Sequence, residues 1–202
     1  MTRIEEILSF WFGEIDADGL AKKEQAERWF RANAETDELI RERFASDLQK
    51  AIQGQLTSWE QYPRGRLALI VLLGQFSRNI YRGTAQAFAQ DELALSLCLQ
   101  GIDIGHDLAL RPIERTFYYL PMEHPESLQI QDRCVQHYQQ LVASVLPATT
   151  KKLQSSLDYA ISHRDIIARF GRFPHRNKLL GRASTAAERE YLSQGGATFG
   201  QK

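Results

Sequence analysis

The residue types best suited to chemistry are concentrated in the segment HRDIIARFGRFPHRN, residues 163–177. From His163 to Arg182 there are five arginines, one lysine, two histidines and a single acid, Asp165. A helix C-terminus favours a few cations because of its dipole, but it does not need this many. A guanidinium group binds both oxygens of a carboxylate or phosphate at once, so the segment predicts anion recognition. A solvated basic surface is the alternative.

Helical geometry divides this segment into parts with different roles. At about 100° per residue, His163 lies within the apolar stripe that contains Tyr159 and Ile167. We therefore expect it to point inward, either as a hydrogen-bonded core residue or as the lining of a pocket. Asp165 and Arg169 lie on the opposite side, at the spacing of a surface ion pair. After Gly171, a loop broken by proline carries further polar residues, namely Arg172, His175, Arg176 and Asn177.

A second group of candidates ends a strongly apolar helix, in the sequence QFSRNIYR. Arg78 and Arg82 are like charges four residues apart, an unfavourable arrangement unless an acid or anion lies between them. Glu123 and His124 are candidate partners for Arg78, with helix capping as their alternative role. We predict one ligand-binding site on which both groups converge. Its twelve predicted residues are Arg78, Asn79, Arg82, Arg115, Tyr118, Glu123, His124, His163, Arg172, His175, Arg176 and Asn177.

The histidines of this predicted site are its candidate catalytic residues. His163 or His175 would act as a general base, while the arginines would stabilise developing negative charge. Three histidines with Glu123 or Asp165 offer ligand atoms for zinc or iron, but their spacing matches no metal-binding motif. We therefore predict neither a metal nor a cofactor. The sequence has no GxSxG, Walker A or GxGxxG motif, so the common hydrolase, nucleotide and dinucleotide functions lack support.

The amino-acid composition limits the classes of partner that the protein is expected to bind. The 202 residues include 25 acidic and 25 basic side chains, and this balance argues against a nucleic-acid partner. There is no apolar run of about eighteen residues, so we expect no transmembrane helix, and acids occupy the N-terminus where a secretory signal would be apolar. We expect a soluble, cytoplasmic protein. Cys98 and Cys134 form no CxxC motif and are expected to be reduced packing residues.

Helical periodicity positions these residues. It predicts an all-α protein of about eight helices in stacked antiparallel hairpins, forming a single domain over residues 1–202 with a frayed tail at about 195–202. A helix over about 66–82 is apolar all round in its first half and should be central. Thr84 should begin the next helix, which ends before Gly101, and a loop should follow as far as Arg111. The candidate His163 belongs to a helix over about 150–170.

Several strings resemble the bacterial domain of unknown function 924 family across nearly the whole chain. They are Ile7–Gly13, Arg78–Ala85, Glu114–Arg115, Glu123–His124 and the segment from His163 to Arg182. The resemblance implies an all-helical fold similar to tetratricopeptide-like superhelices, in agreement with the periodicity. It implies no established activity.

One departure from the family pattern falls on the predicted site. Where the pattern reads LLDQFPRN, this chain has Gly74 and Ser77 in place of the aspartate and proline. An aspartate at position 74 would lie one turn before Arg78 and pair with it. Its loss argues against an enzymatic role more than against the fold.

Three functions therefore remain open. The first is a binding module whose Arg- and His-lined pocket holds a small anion or an acidic peptide end. The second is a hydrolase with a histidine general base, possibly metal-assisted. The third is a protein-interaction scaffold. The sequence does not specify the oligomeric state.

Overall fold

The helices follow one another with short connections. A computed structural model of the protein describes residues 1–30 and 33–199. Over these residues the α-helices are α1 (Arg3–Phe12), α2 (Lys23–Phe30), α3 (Ala34–Ile52), α4 (Pro63–Ile70), α5 (Ser77–Ile80), α6 (Asp91–Asp103), α7 (Pro112–Tyr119), α8 (Leu128–Ser144), α9 (Pro147–Phe170) and α10 (Ala186–Ser193). The described residues form no strand, only an isolated bridge between Ile15 and Ala21. The all-α prediction is confirmed, whereas the tetratricopeptide-like superhelix and the single domain stay predictions.

The central element is one continuous helix made of α4, a π-helical segment over Val71–Phe76, and α5. Every residue from Leu67 to Leu73 is buried, as the apolar run predicts. Helices α1, α3, α6 and α7 pack around this element. The wider π turn is closed by the backbone N–H of Ser77, which donates to the carbonyl of Leu72. Such segments often occur at functional sites, and this one lies just before Arg78.

The C-terminal third packs on this core as a helical hairpin and an extension. Val145 and Leu146 join α8 to α9, and the two helices pack along each other, as short connections predict. Gly171 ends α9 in the left-handed conformation. A small separate hydrophobic cluster forms beyond α9 around Phe173. A capping box formed by Thr185 and Glu188 begins α10.

Some boundaries differ from the sequence prediction. Helix α6 begins at Asp91, because residues Ala85–Phe88 form a 3-10 turn after Thr84. It also continues through Gly101 to Asp103 instead of ending before the glycine. This helical position requires glycine because α6 passes there against Arg66 and the hydroxyl of Tyr118, which leave no room for a side chain.

The last described residues contact the helices. The backbone N–H of Ala197 donates to the Tyr191 hydroxyl, and Phe199 packs on the second hydrophobic cluster. The frayed tail stays a prediction, and residues 200–202 lie outside the described residues. No helix among the described residues has the length and hydrophobicity needed to cross a membrane.

The environment of the glycines leads to a stability prediction. Replacing Gly101 by alanine would place a Cβ on the Tyr118 hydroxyl and should reduce the free energy of unfolding by about 1–3 kcal/mol or more. Gly74→Ala is the matched control, because nothing lies within 4 Å of a Cβ built there. It should be neutral or stabilise the protein by up to about 1 kcal/mol. Urea denaturation would measure both variants, and equal stabilities would contradict this account of α6.

Candidate functional site

The two predicted groups of polar residues converge on one cavity of about 410 Å³, called the polar cavity below. Its walls come from the end of the central helix, the turn after α7, helix α9 and the loop after Gly171. Eight of the twelve predicted site residues line it: Arg78, Asn79, Arg82, Glu123, His124, His163, His175 and Arg176.

Two predicted residues on α7 lie elsewhere. Arg115 donates to the Tyr119 hydroxyl at 3.0 and 3.2 Å and lies 4.0 Å from Asp107. Tyr118 is fully buried against Gly101 in the main core. Their face of α7 is turned toward α6 and the core, and is therefore not part of the cavity wall.

Two predicted loop residues also lie outside the cavity. Arg172 makes a bidentate ion pair with Glu188, at 2.6 and 2.8 Å. The Asn177 amide nitrogen also donates to Glu188, at 3.2 Å, and the N–H of Thr185 donates at 2.7 Å. These donors, Arg172 foremost, lower the pKa of Glu188 to about 2. Both residues attach the loop to α10.

Arg78, near the end of the central helix, and Arg82, two residues after it, are each neutralised by an aspartate. Arg78 binds Asp91 through both terminal nitrogens, at 2.6 and 3.0 Å, and also donates to the carbonyl of Gly74 at 3.0 Å. Arg82 binds Asp37 at 2.6 and 3.0 Å, and Asn79 donates to the same carboxylate at 2.7 Å. Each arginine thus has its own acid, so the predicted repulsion between them is relieved. The partner of Arg78 is Asp91, not the predicted Glu123 or His124.

Arg176 is bound differently. It is 8% exposed, and its guanidinium lies between two rings, 4.8 Å from the centroid of Phe88 and 4.4 Å from that of Phe173. One terminal nitrogen donates to the carbonyl of His124 at 2.8 Å, and the nearest carboxylate oxygen, on Asp91, is 4.0 Å away. Burial lowers the pKa of Arg176 to about 10, against the opposing charge of Asp91. The group remains cationic at neutral pH.

The model of the family described as "Bacterial protein of unknown function (DUF924)" matches residues 7–196. The chain belongs to this family. A solved structure of a protein of unknown function from Agrobacterium tumefaciens is similar to it, with 36% identity, a TM-score of 0.80, and 95% of this chain and 97% of that chain covered. No curated protein matches the chain significantly.

The two departures from the DUF924 pattern both lie at the π-helical turn. Position 74 faces open space, and Arg78 uses the backbone carbonyl of Gly74 together with Asp91. The expected loss of a partner for Arg78 therefore does not occur. Ser77 is fully buried, and its hydroxyl has no hydrogen-bond partner among the described residues.

The histidines of the polar cavity are uncharged at neutral pH. His163 is 4% exposed, and its Nδ1 donates to the carbonyl of Tyr159 at 2.9 Å. Burial lowers its pKa to about 3, and nearby Arg176 adds to the effect. Burial likewise lowers the pKa of His175 to about 4 and that of His124 well below its ordinary value. All three therefore offer neutral imidazoles to a ligand.

Glu123 is the acid that lines the polar cavity. It is 1% exposed, its Oε2 lies 3.4 Å from Nδ1 of His163, and this oxygen has no hydrogen-bond partner among the described residues. Burial raises its pKa to about 8, against smaller effects of Tyr138 and Arg78. At neutral pH Glu123 is therefore mostly protonated and can donate a hydrogen bond.

Several residues of the site escaped the sequence analysis. Phe199 stacks on His163, with ring centroids 3.5 Å apart and planes 15° apart. Tyr159, Ser162 and Phe88 also line the cavity. The sequence did offer a sign of the role of Asp37, because this acid occupies the buried face of α3. It offered no sign of the role of Asp91, because that role depends on how α6 meets the central helix.

The histidine and acid side chains do not gather as metal ligands do. Over residues 1–30 and 33–199, no three histidine, cysteine, aspartate or glutamate side chains are grouped closely enough to hold a metal ion. Cys98 and Cys134 are buried and free, as expected. The Asp165–Arg169 surface pair is not formed: Asp165 pairs with Arg164, and Arg169 lies over the ring of Phe170.

The raised pKa of Glu123 predicts a pH-dependent stability difference. Above pH 4.5 the unfolded chain releases this proton, whereas the folded protein keeps it up to about pH 8. Wild-type stability should therefore fall, relative to Glu123→Gln, as the pH rises through this window. The slope should be at most about 1.4 kcal/mol per pH unit. Denaturant unfolding of both proteins across the window would measure it.

Glu188→Gln is the control for this titration. Because the pKa of Glu188 is lowered to about 2, its contribution is present above the unfolded value and is lost only as the pH falls toward 2. The difference in free energy of unfolding between Glu188→Gln and the wild type should stay constant over the pH range in which the difference for Glu123→Gln changes. A flat profile for Glu123→Gln as well would show that Glu123 is ionised in the folded protein.

Proposed function

We propose that the protein binds a small organic anion in the polar cavity, with Arg176 as the group that contacts the anionic end. The observation that carries this proposal is the contrast among the three arginines of the cavity. Arg78 and Arg82 each make a bidentate pair with an aspartate, whereas Arg176 makes no hydrogen bond to a carboxylate. A buried guanidinium whose nearest carboxylate, that of Asp91, is 4.0 Å away and already paired with Arg78 is only partly compensated, and a bound anion would recover the remaining cost in free energy.

The charge balance favours a monoanion, with a carboxylate as its simplest form. Three guanidinium groups and the two aspartates paired with them leave one positive charge around the cavity. Glu123 and the three histidines add none near neutral pH. A dianionic phosphate would bring a second negative charge into a space with only one cation to balance it.

Unpaired polar atoms also favour a ligand here. Four of the cavity's buried atoms have no hydrogen-bond partner among the described residues: Oε2 of Glu123, Nδ1 of His124, Nδ1 of His175 and Nε of Arg176. Buried polar groups are nearly always paired in folded proteins, with protein, water or a ligand. Four such atoms around one cavity indicate a place for a polar molecule.

The other hypotheses have less support. An acidic peptide end is a variant of this proposal, because its terminal carboxylate presents the same group to Arg176. For a hydrolase, pKa values near 3 and 4 make His163 and His175 weak bases at neutral pH. The interaction scaffold stays a hypothesis.

The role of Arg176 predicts a specific loss of binding. Butyrate should stabilise the wild-type protein by about 2.7 kcal/mol at a hundredfold excess over its Kd. Arg176→Gln should weaken binding by about 10- to 150-fold, because a charged hydrogen bond of about 1.5–3 kcal/mol is lost. Isothermal titration calorimetry with butyrate, inorganic phosphate and a dipeptide would measure these affinities and identify which anion is preferred.

Arg169→Gln is the matched control, since Arg169 belongs to the same basic segment but lies outside the polar cavity. It should bind butyrate as the wild type does. Equal weakening in both variants would mean that the segment acts only as a diffuse positive surface. No binding of any of the three anions by the wild type would overturn the proposal.

A further inference from the structure

A second cavity of about 220 Å³ adjoins the polar cavity and is called the apolar cavity below. The two share three lining residues, Leu120, Glu123 and Tyr159. Beyond these, the apolar cavity is lined by Phe117 and Tyr138 and by the small residues Thr116, Ser155 and Ser156. These three residues therefore form the boundary between the two cavities.

Three of the hydroxyl groups that line this second space already donate to backbone carbonyls. The Thr116 hydroxyl donates to the carbonyl of Ile113 at 2.7 Å, and the Ser155 hydroxyl to that of Lys152 at 3.0 Å. The Tyr138 hydroxyl donates to the carbonyl of Thr116 at 2.7 Å. These three side chains thus turn their hydroxyls to the backbone and offer hydrocarbon or ring surface to the cavity. Such a lining stabilises an apolar group and offers few hydrogen bonds to a polar one.

We propose that the apolar cavity holds the hydrocarbon part of the ligand, so that the ligand class is an amphipathic monocarboxylate. This inference rests on the proposed function, because its carboxylate is the anion placed at Arg176. The hydrocarbon chain passes Leu120 and Tyr159 and lies against Phe117 and Tyr138. One molecule then occupies both cavities.

The residue at the boundary fits this arrangement. Glu123 lines both cavities, and an ionised carboxylate there would repel the ligand's own carboxylate and oppose burial of its chain. Burial keeps Glu123 largely protonated near neutral pH. The boundary is therefore uncharged, and Glu123 remains able to donate one hydrogen bond.

The far end of the apolar cavity limits the useful chain length. Ser155 and Ser156 also line a third cavity of about 500 Å³, where Lys23, Lys151 and Lys152 contribute to the wall. A chain long enough to leave the apolar cavity enters this wider and more cationic space. Each additional methylene should then add less affinity than the one before.

The test is a chain-length series of linear carboxylates, from acetate to decanoate, titrated into the full-length protein by calorimetry below their micellar concentrations. Each methylene buried in the apolar cavity should tighten binding about fourfold. Octanoate should therefore bind at least tenfold more tightly than butyrate. Octanol of the same length should bind more weakly than octanoate, since it lacks the anionic end.

Two variants locate the chain. Ser156→Leu should fill the apolar cavity and abolish the advantage of octanoate while leaving butyrate affinity unchanged. Ser96→Leu is the control, because Ser96 is an exposed residue of α6 that lines none of the three cavities. Ser156→Val serves as a smaller replacement if the leucine variant does not fold.

The outcomes separate this inference from the proposed function. Butyrate binding with no gain for octanoate would overturn the amphipathic ligand and leave the anion site standing. An octanoate advantage that survives Ser156→Leu would overturn the placement of the chain. Failure of every carboxylate to bind the wild type would overturn both proposals.

Discussion

The constraint on which the rest of the structure depends is that a buried charge must be compensated. The central helix is fully buried over Leu67–Leu73, and Arg78 near its end and Arg82 just after it pair with Asp91 from α6 and Asp37 from α3 at the same end of the molecule. Those two pairs fix how α3 and α6 meet the helix. Both aspartates are therefore already paired. Arg176, in the loop after α9, makes no hydrogen bond to a carboxylate. The polar cavity is the space left at this end of the molecule once these ion pairs have formed.

Local patterns were enough to predict most of the fold. The apolar run from Leu67 to Leu73 and the stripe that includes His163 each depend on neighbours in sequence, and each is buried as expected. The errors fall where distant contacts decide the structure. Glycine alone favours a helix end. Gly101 nevertheless stands inside α6, because Tyr118 and Arg66 occupy the space that a side chain would fill. The helical periodicity of the sequence gives no information about that contact between distant residues.

The site was predictable in outline for the same reason. Residue type and spacing were sufficient to select the helix end at Arg78 and the loop at His175, because a cation in an apolar setting needs a partner. They were not sufficient to separate Arg172 from Arg176, four residues apart in one loop. That distinction depends on α10, whose Glu188 takes Arg172, and on the two rings that enclose Arg176. Both neighbours are set by tertiary packing.

Burial also decides which chemistry these residues can perform. The same desolvation that lowers the pKa of the three histidines raises that of Glu123, so the cavity contains neutral groups where the sequence shows titratable ones. A general base needs a pKa near the working pH, which these imidazoles have lost. Neutral donors and acceptors around one guanidinium that makes no hydrogen bond to a carboxylate are instead suited to holding an anion without transferring a proton. Burial of Glu123 then keeps one hydrogen available at the boundary of the two cavities, where the carboxylate of the proposed ligand would meet its hydrocarbon chain.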